Sequence, residues 1–354
     1  MLVRVEVART DVDKDERRDR GAAVPVQTLA QLVGQLPAPL RKALRRAIGG
    51  QGHAQHWTHA LWAWHRARGD KRVDRIAPGL AALIRDTCGS VEGLSCLEFG
   101  SGHLLSEALV FWLAGATRVV AVDYYPLLRL HFARRAFTLA GRDALLAALA
   151  PVASAATVTE RIARLDQLGD WTLEGLSELG IDYLAPADFC RETEFAGTFD
   201  LIHSASVLEH LPLADSRAIV ANTQAALRPG GLALHAIHLE DHLDFRHNPL
   251  AFLAADTDWR EGDADARGNR LRASDWLRIF RSLPAAQVEI LWEVVREDAP
   301  LPRILDPVFA GYAERDLRIG GIMLAVRSSA WAAEAVRGPF LEGGREPATL
   351  MLSR

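Results

Sequence analysis

The sequence predicts a doubly wound α/β fold, in which a mainly parallel sheet of seven strands carries helices on both faces behind a helical N-terminal extension. Three observations lead there. An apolar run at 95–99 ends in the glycine turn Gly100-Ser101-Gly102, and a second at 118–122 ends in an acid, Asp123. Beyond them, strand-length apolar segments alternate with helix-length ones. That alternation calls for right-handed crossovers and parallel strands.

Taken in order, residues 1–24 are read as a disordered tail, because 9–20 are almost wholly charged and cannot offset their ordering entropy. Residues 25–75 read as the helical extension. A helical pattern from Val26 to Ile48 carries Arg41, Lys42, Arg45 and Arg46 on its polar face and stops at Gly49 and Gly50. A second stretch holds Trp57, Trp62 and Trp64 with His53, His56 and His59. Two readings of it stay open: a lid over the active site, or a packing face for the domain or for a second copy in a homodimer. Residues 76–330 supply the sheet, with strands expected at 95–99, 118–122, 181–184, 199–203, 232–237, 287–295 and 321–326. Helices are expected at 103–113, 126–139, 213–227 and 274–281, together with an Ala- and Leu-rich helical insertion at 141–180. Residues 331–354 form a C-terminal tail.

Composition narrows the setting. At 354 residues and 49% hydrophobic the chain can bury a full α/β core. A net charge of −4 gives no global field that would gather nucleic acid or anionic lipid. Three cysteines, Cys88, Cys96 and Cys190, lack the spacing of a disulfide framework or a zinc site, which suits a reducing cytoplasm. No apolar run reaches the roughly 18 residues of a membrane helix, and no signal-peptide core opens the chain.

A glycine turn at one strand tip lets a ligand approach the backbone, and an acid at the next can hold two ribose hydroxyls. Together they describe a nucleoside-cofactor site. A dinucleotide is disfavoured, since Leu105 stands where that fingerprint has its third glycine. Further on come Asp188-Phe189, suited to an adenine amino group and ring, then Phe199-Asp200-Leu201-Ile202 leading through Ser204 to Val207-Leu208-Glu209-His210, and then Leu227-Arg228-Pro229-Gly230-Gly231.

This ordered set resembles the class I S-adenosylmethionine-dependent methyltransferases of the small-molecule type, over about 93–327. The resemblance implies a Rossmann-like fold and S-adenosyl-L-methionine as cofactor. It implies that Glu98, Gly100 and Gly102 line the loop facing the methionine part. Asp123 would bind the ribose, Asp188 with Phe189 the adenine, and Ser204 would border the methyl group and acceptor. Structural alternatives stand beside these roles: Asp123 as a cap for the helix near Pro126, Asp188 as a plain loop carboxylate, and Glu209-His210 as a helix-start pair.

Methyl transfer from a sulfonium is an in-line displacement, so the protein mainly places the acceptor, and a base helps only where a proton must leave. The candidates follow the fifth strand. His242 is the preferred base and His238 the second, with Asp241 to orient a neighbouring imidazole. His238, Asp241, His242 and His247 also have metal-ligand spacing, but no second ligand cluster supports them and no metal is expected. Arg270 and Arg272 either clamp an anionic group on the acceptor or are solvated. The region 238–276 is also similar to bacterial methyltransferases with an Asp-His and then an Asn-Arg-Leu-Arg pattern, which names no substrate.

The expected reaction is therefore methylation of a small polar metabolite, at oxygen first and nitrogen next, or else of a protein. Nucleic acid is disfavoured by the charge and by missing Pro-Pro-Tyr and Pro-Cys motifs. An NAD-linked oxidoreductase and a non-catalytic cofactor-binding protein are the remaining classes.

Overall fold

The protein is described by a computed structural model covering residues 66–328, apart from 193, 258, 261–263 and 284–285. The charged tail, nearly all of the helical extension with its three tryptophans, and the C-terminal tail lie outside the described residues.

Seven strands form one sheet: β1 (Ser95–Phe99), β2 (Arg118–Val122), β3 (Ile181–Leu184), β4 (Phe199–Ala205), β5 (Leu227–His238), β6 (Ala286–Val295) and β7 (Ile319–Ser328). Their order is β3-β2-β1-β4-β5-β7-β6. The first five pair in parallel, and β7 runs antiparallel between β5 and β6. This is the doubly wound, mainly parallel sheet that the alternation predicts. The first three strands have the predicted bounds, whereas β5 begins at Leu227 rather than at 232. Leu227 pairs with Phe199 across a register shift, a long-range contact that the turn-like Arg228-Pro229-Gly230 conceals.

Burial follows position in the sheet. β7 is buried along nearly its whole length, as suits a strand covered on both faces, while β6, at the edge, alternates between partly buried and exposed residues. One face is covered by α1 (Val73–Thr87), α2 (Ser106–Leu113), α3 (Leu130–Thr138), α4 (Arg142–Leu149), α5 (Ala155–Gln167) and α6 (Leu173–Glu178). α7 (Leu213–Ala226) and α8 (Ala273–Arg281) cover the other, and α9 (Glu314–Arg318) leads into β7.

The segment 141–180 thus folds as three helices. Ser154 and Thr172 cap two of them by accepting from the amides of Thr157 and Gly175, each at 3.0 Å. Arg161 of α5 lies 4.8 Å over the Trp112 ring and donates to the carbonyls of Gly115 and Ala116, so it caps the end of α2. α1 crosses the boundary drawn at residue 75. Pro78 and Gly79 hide this helix in the sequence, and burial of Val73, Ala77, Leu80, Ala81 and Ile84 outweighs the proline.

The chain steps outward from β1 to β3 and then crosses back to lay β4 beside β1. The carboxyl ends of β1 and β4 therefore flank the reversal point, where such sheets bind ligands.

Candidate active site

The loop after β1 is shaped by two glycines with φ of +77° and +66°, Gly100 and Gly102. A Cβ on Gly100 would lie 2.2 Å from Cγ2 of Val207, beyond the end of β4, so only glycine fits there. At Gly102 a Cβ would meet nothing within 4 Å. The backbone is tight on the protein side and open on the other. Leu105, wholly buried, enters α2 with φ of +54°.

Asp123 closes this loop. Its carboxylate accepts from the Ser101 hydroxyl at 2.9 Å and the Gly102 amide at 3.0 Å. Burial pushes its carboxyl up to about 6, although those two bonds and the Tyr183 hydroxyl oppose the rise. The helix-capping alternative for Asp123 does not hold, because α3 starts at Leu130 behind Arg129. The next two side chains, Tyr124 and Tyr125, are 61% and 60% exposed beside it.

Beneath the loop lies a buried polar group. Glu98 is buried with Oε2 unpartnered among the described residues. Burial, and next the Glu107 carboxylate, hold it well above the usual carboxylate range. Burial acts on Glu107 too, but its ion pair with Lys71 keeps it below that range. His203, wholly buried nearby, is pushed down to about 4 by burial.

The remaining expected cofactor residues are placed differently. Asp188 accepts from the Cys190 amide at 3.0 Å and pairs with Arg191. Phe189 is buried, stacked on Phe99 with ring centroids 5.1 Å apart. Ser204 does not border open space: it is wholly buried, its hydroxyl 2.8 Å from Nδ1 of His235.

A second polar group stands at the ends of β4 and β5. His238 Nε2 lies 3.1 Å from Oε2 of Glu240, whose Oε1 accepts from Arg296 at 2.5 Å. Burial opposes ionisation of Glu240, but hydrogen bonds from His238 and Arg296 hold it below the usual range. His238 Nδ1 lies 2.5 Å from His242 Nε2. The carboxylate assigns the His238 proton to Nε2, so Nδ1 accepts and His242 Nε2 donates. Glu240 was not singled out in the sequence, and it takes the orienting part expected of Asp241. Asp241 is instead buried against Arg267, at 2.5 Å and 3.2 Å.

Glu209, in the 3₁₀ turn Leu208–His210, faces this group with its Oε1 4.0 Å from His242 Nε2. It is 1% exposed, and neither carboxylate oxygen has a hydrogen bond of good geometry among the described residues. Burial pushes it up to about 8, partly offset by its own amide, that of His238 and the Ser206 hydroxyl.

The four loop residues with metal-ligand spacing do not converge. Asp241 is taken by Arg267, and the His247 side chain is 72% exposed beside Asp244. Arg270 and Arg272 are neither solvated nor turned to a ligand. Arg270 pairs with Asp306 at 2.9 Å between the rings of Trp259 and Phe309. Arg272, wholly buried, donates to the carbonyls of Leu239, Leu317 and Ile319.

A model of the methyltransferase domain matches residues 51–283, more than half of the chain. The chain belongs to the methyltransferase domain family. It is a class I S-adenosylmethionine-dependent methyltransferase, with S-adenosylmethionine as its cofactor. Among solved structures, the methyltransferase is similar to an S-adenosylmethionine-dependent methyltransferase from Mesorhizobium loti. The two share 16% identity over 72% of this chain and 99% of that one, with a TM-score of 0.39. It is also similar to the Burkholderia thailandensis 1,6-didemethyltoxoflavin-N1-methyltransferase, solved with 1,6-didemethyltoxoflavin and S-adenosylhomocysteine. Identity there is 15% over 89% of this chain and 97% of that one, with a TM-score of 0.39. Comparison with curated proteins gives no significant match. No helix among the described residues of the methyltransferase is long and apolar enough to cross a membrane.

The residues fit the cofactor. The open side of Gly102, an Asp123 carboxylate with lone pairs beyond its two bonds, and the unpartnered Glu98 oxygen meet at one strand edge.

Proposed function

We propose that this methyltransferase acts on an oxygen of a small polar acceptor, with the departing proton taken by the His238–His242 pair. The observation that carries this reading is that pair, in hydrogen-bond contact at 2.5 Å and anchored through Glu240 to Arg296, where β5 ends. An amine acceptor that is already neutral needs no such device, because its nitrogen lone pair attacks directly; a hydroxyl gains from one.

In this reading Asp123 holds the ribose hydroxyls, and Gly100 and Gly102 admit the methionine part above Glu98. Asp188 accepts from the adenine amino group, with Phe189 packed behind it. Ser204 is left out, since its hydroxyl is spent on His235. When bound, the cofactor supplies a methyl carbon on an already activated leaving group. The protein's share is to hold the acceptor oxygen about 3–3.5 Å from that carbon and to remove its proton. A small acceptor suits a chain with a net charge of −4, whose proposed functional groups are half-buried histidines and buried carboxylates.

The test is a methyl-transfer screen with isotopically labelled cofactor against hydroxylated and amino metabolites. O-methylated products are expected, and His242→Ala should slow turnover about 100-fold while keeping its affinity for S-adenosylhomocysteine. N-methylated products formed at full rate by that variant would refute the oxygen reading.

A further inference from the structure

Glu209, His210 and His242 each offer one ligand atom, all within 4.8 Å of one another, the one such group of three among the described residues. The set is a carboxylate and two imidazoles from two separate segments, the 3₁₀ turn after β4 and the loop after β5. One feature points to a missing positive partner, and a second shows that the segments bearing the ligands are held in place. Glu209 is 1% exposed, yet among the described residues neither of its oxygens has a hydrogen bond of good geometry, so a buried acidic side chain is aimed into the cluster with no lysine or arginine paired to it. The backbone around it is also fixed. Asn269 donates to the carbonyls of Leu208 and Leu211, both at 3.0 Å, its own amide reaches the Glu209 carbonyl at 2.7 Å, and the His242 amide reaches Arg267 O at 3.2 Å. Both ligand-bearing segments are thus fastened to the stretch 267–269.

We propose that Glu209, His210 and His242 hold a divalent first-row transition cation, zinc being the best match, with a coordination position left for the acceptor oxygen. One carboxylate and two imidazoles make a three-ligand site of the open, catalytic kind. Ligand atoms on such an ion lie about 3.3 Å apart, so the cluster needs to close by at most about 1.5 Å on binding. The inference rests on the reading that a hydroxyl is the acceptor, and it deepens that reading. The cation binds the hydroxyl oxygen and lowers its pKa. His242 takes the tautomer with its proton on Nδ1 and gives its Nε2 lone pair to the ion, which frees Nδ1 of His238, held in place by Glu240, to accept the hydroxyl proton. The O–H electron pair stays on oxygen and forms the new bond to the methyl carbon, while the carbon–sulfur bond of the sulfonium breaks and its electron pair leaves on sulfur.

The site is tested on the untagged full chain, stripped with chelator and titrated with cobalt(II), whose visible absorption reports coordination, and then with zinc(II). One cobalt per chain in a four- or five-coordinate spectrum, displaced by zinc, is expected. Glu209→Gln and His242→Ala should each weaken binding about 100-fold, whereas His247→Ala should match the wild type. Should Glu209→Gln fail to fold, the wild-type titration and His242→Ala decide. A wild-type chain that binds S-adenosylhomocysteine but no cobalt or zinc would overturn the site and leave the proposed reaction standing; so would unchanged affinity in His242→Ala. Stoichiometric cation binding lost in these variants establishes the site even if the products prove to be N-methylated, which would refute the acceptor reading alone.

Discussion

Asp123 carries the clearest pH signature of any single residue. Its carboxyl sits near 6 in the folded protein, and in the proposed reading the two ribose hydroxyls donate best to its ionised form, which accepts through both oxygens. Binding therefore favours the ionised state. Affinity for S-adenosylhomocysteine should be flat above pH 7 and fall about tenfold between pH 7 and pH 5, as the carboxyl takes up its proton. Calorimetry across that range checks this, and Asp123→Asn should flatten the profile. The two loop glycines make a contrasting pair. Gly100→Ala meets both an unfavourable φ and the Val207 side chain at 2.2 Å, and should cost roughly 2–4 kcal/mol in urea unfolding. Gly102→Ala meets only the φ penalty, about 1–2 kcal/mol, but places a methyl group on the side where we propose the cofactor approaches. It should stay folded and lose cofactor affinity. The glycine turn and Asp123 were legible because their chemistry is local: a turn, a strand tip and an acid 21 residues beyond Gly102. Ser204 was not, because its orientation depends on His235, which pairs beside it on the neighbouring strand.

Among the elements, α8 and the stretch before it show how a suggestive motif turns structural. Asn269-Arg270-Leu271-Arg272 reads as an anion clamp only while its surroundings are unknown. Folding places Arg272 under β7, where its guanidinium satisfies carbonyls of Leu239, Leu317 and Ile319, so it fastens the end of β5 to the entry of β7. Arg272→Met strands those carbonyls in a dry interior and should cost about 3–5 kcal/mol, read as a lower urea midpoint. Two of the three carbonyls lie more than 40 residues downstream, and no local pattern announces them. Ser274 shows the same dependence. It has the composition of a helix cap, yet it sits inside α8 with its hydroxyl 2.5 Å from Asp316. α1 is the converse case, where Pro78 argues locally against a helix that packing on α2 and α4 retains.

Across the whole molecule, the strand order does what local sequence cannot. Strands were legible because buried parallel strands are apolar runs bounded by turns, and their alternation with helices fixed the architecture. Which side chains meet at the carboxyl edge was not legible, since Glu209 and His242 are 33 residues apart and meet only because β4 and β5 are neighbours. The histidine-rich loop was recognised, but Asp241, expected to orient a neighbouring imidazole, pairs with Arg267, and Glu240 is the carboxylate that meets His238. The division of labour we propose is that the β1–β2 edge binds the nucleoside while the β4–β5 edge handles the acceptor. Calorimetric binding of S-adenosylhomocysteine to the wild type, Asp123→Ala and His242→Ala, each with its turnover, tests this most directly. The account predicts about 10- to 100-fold weaker binding in Asp123→Ala and wild-type binding with slow turnover in His242→Ala. Undiminished binding in Asp123→Ala, or lost binding in a folded His242→Ala, would contradict it.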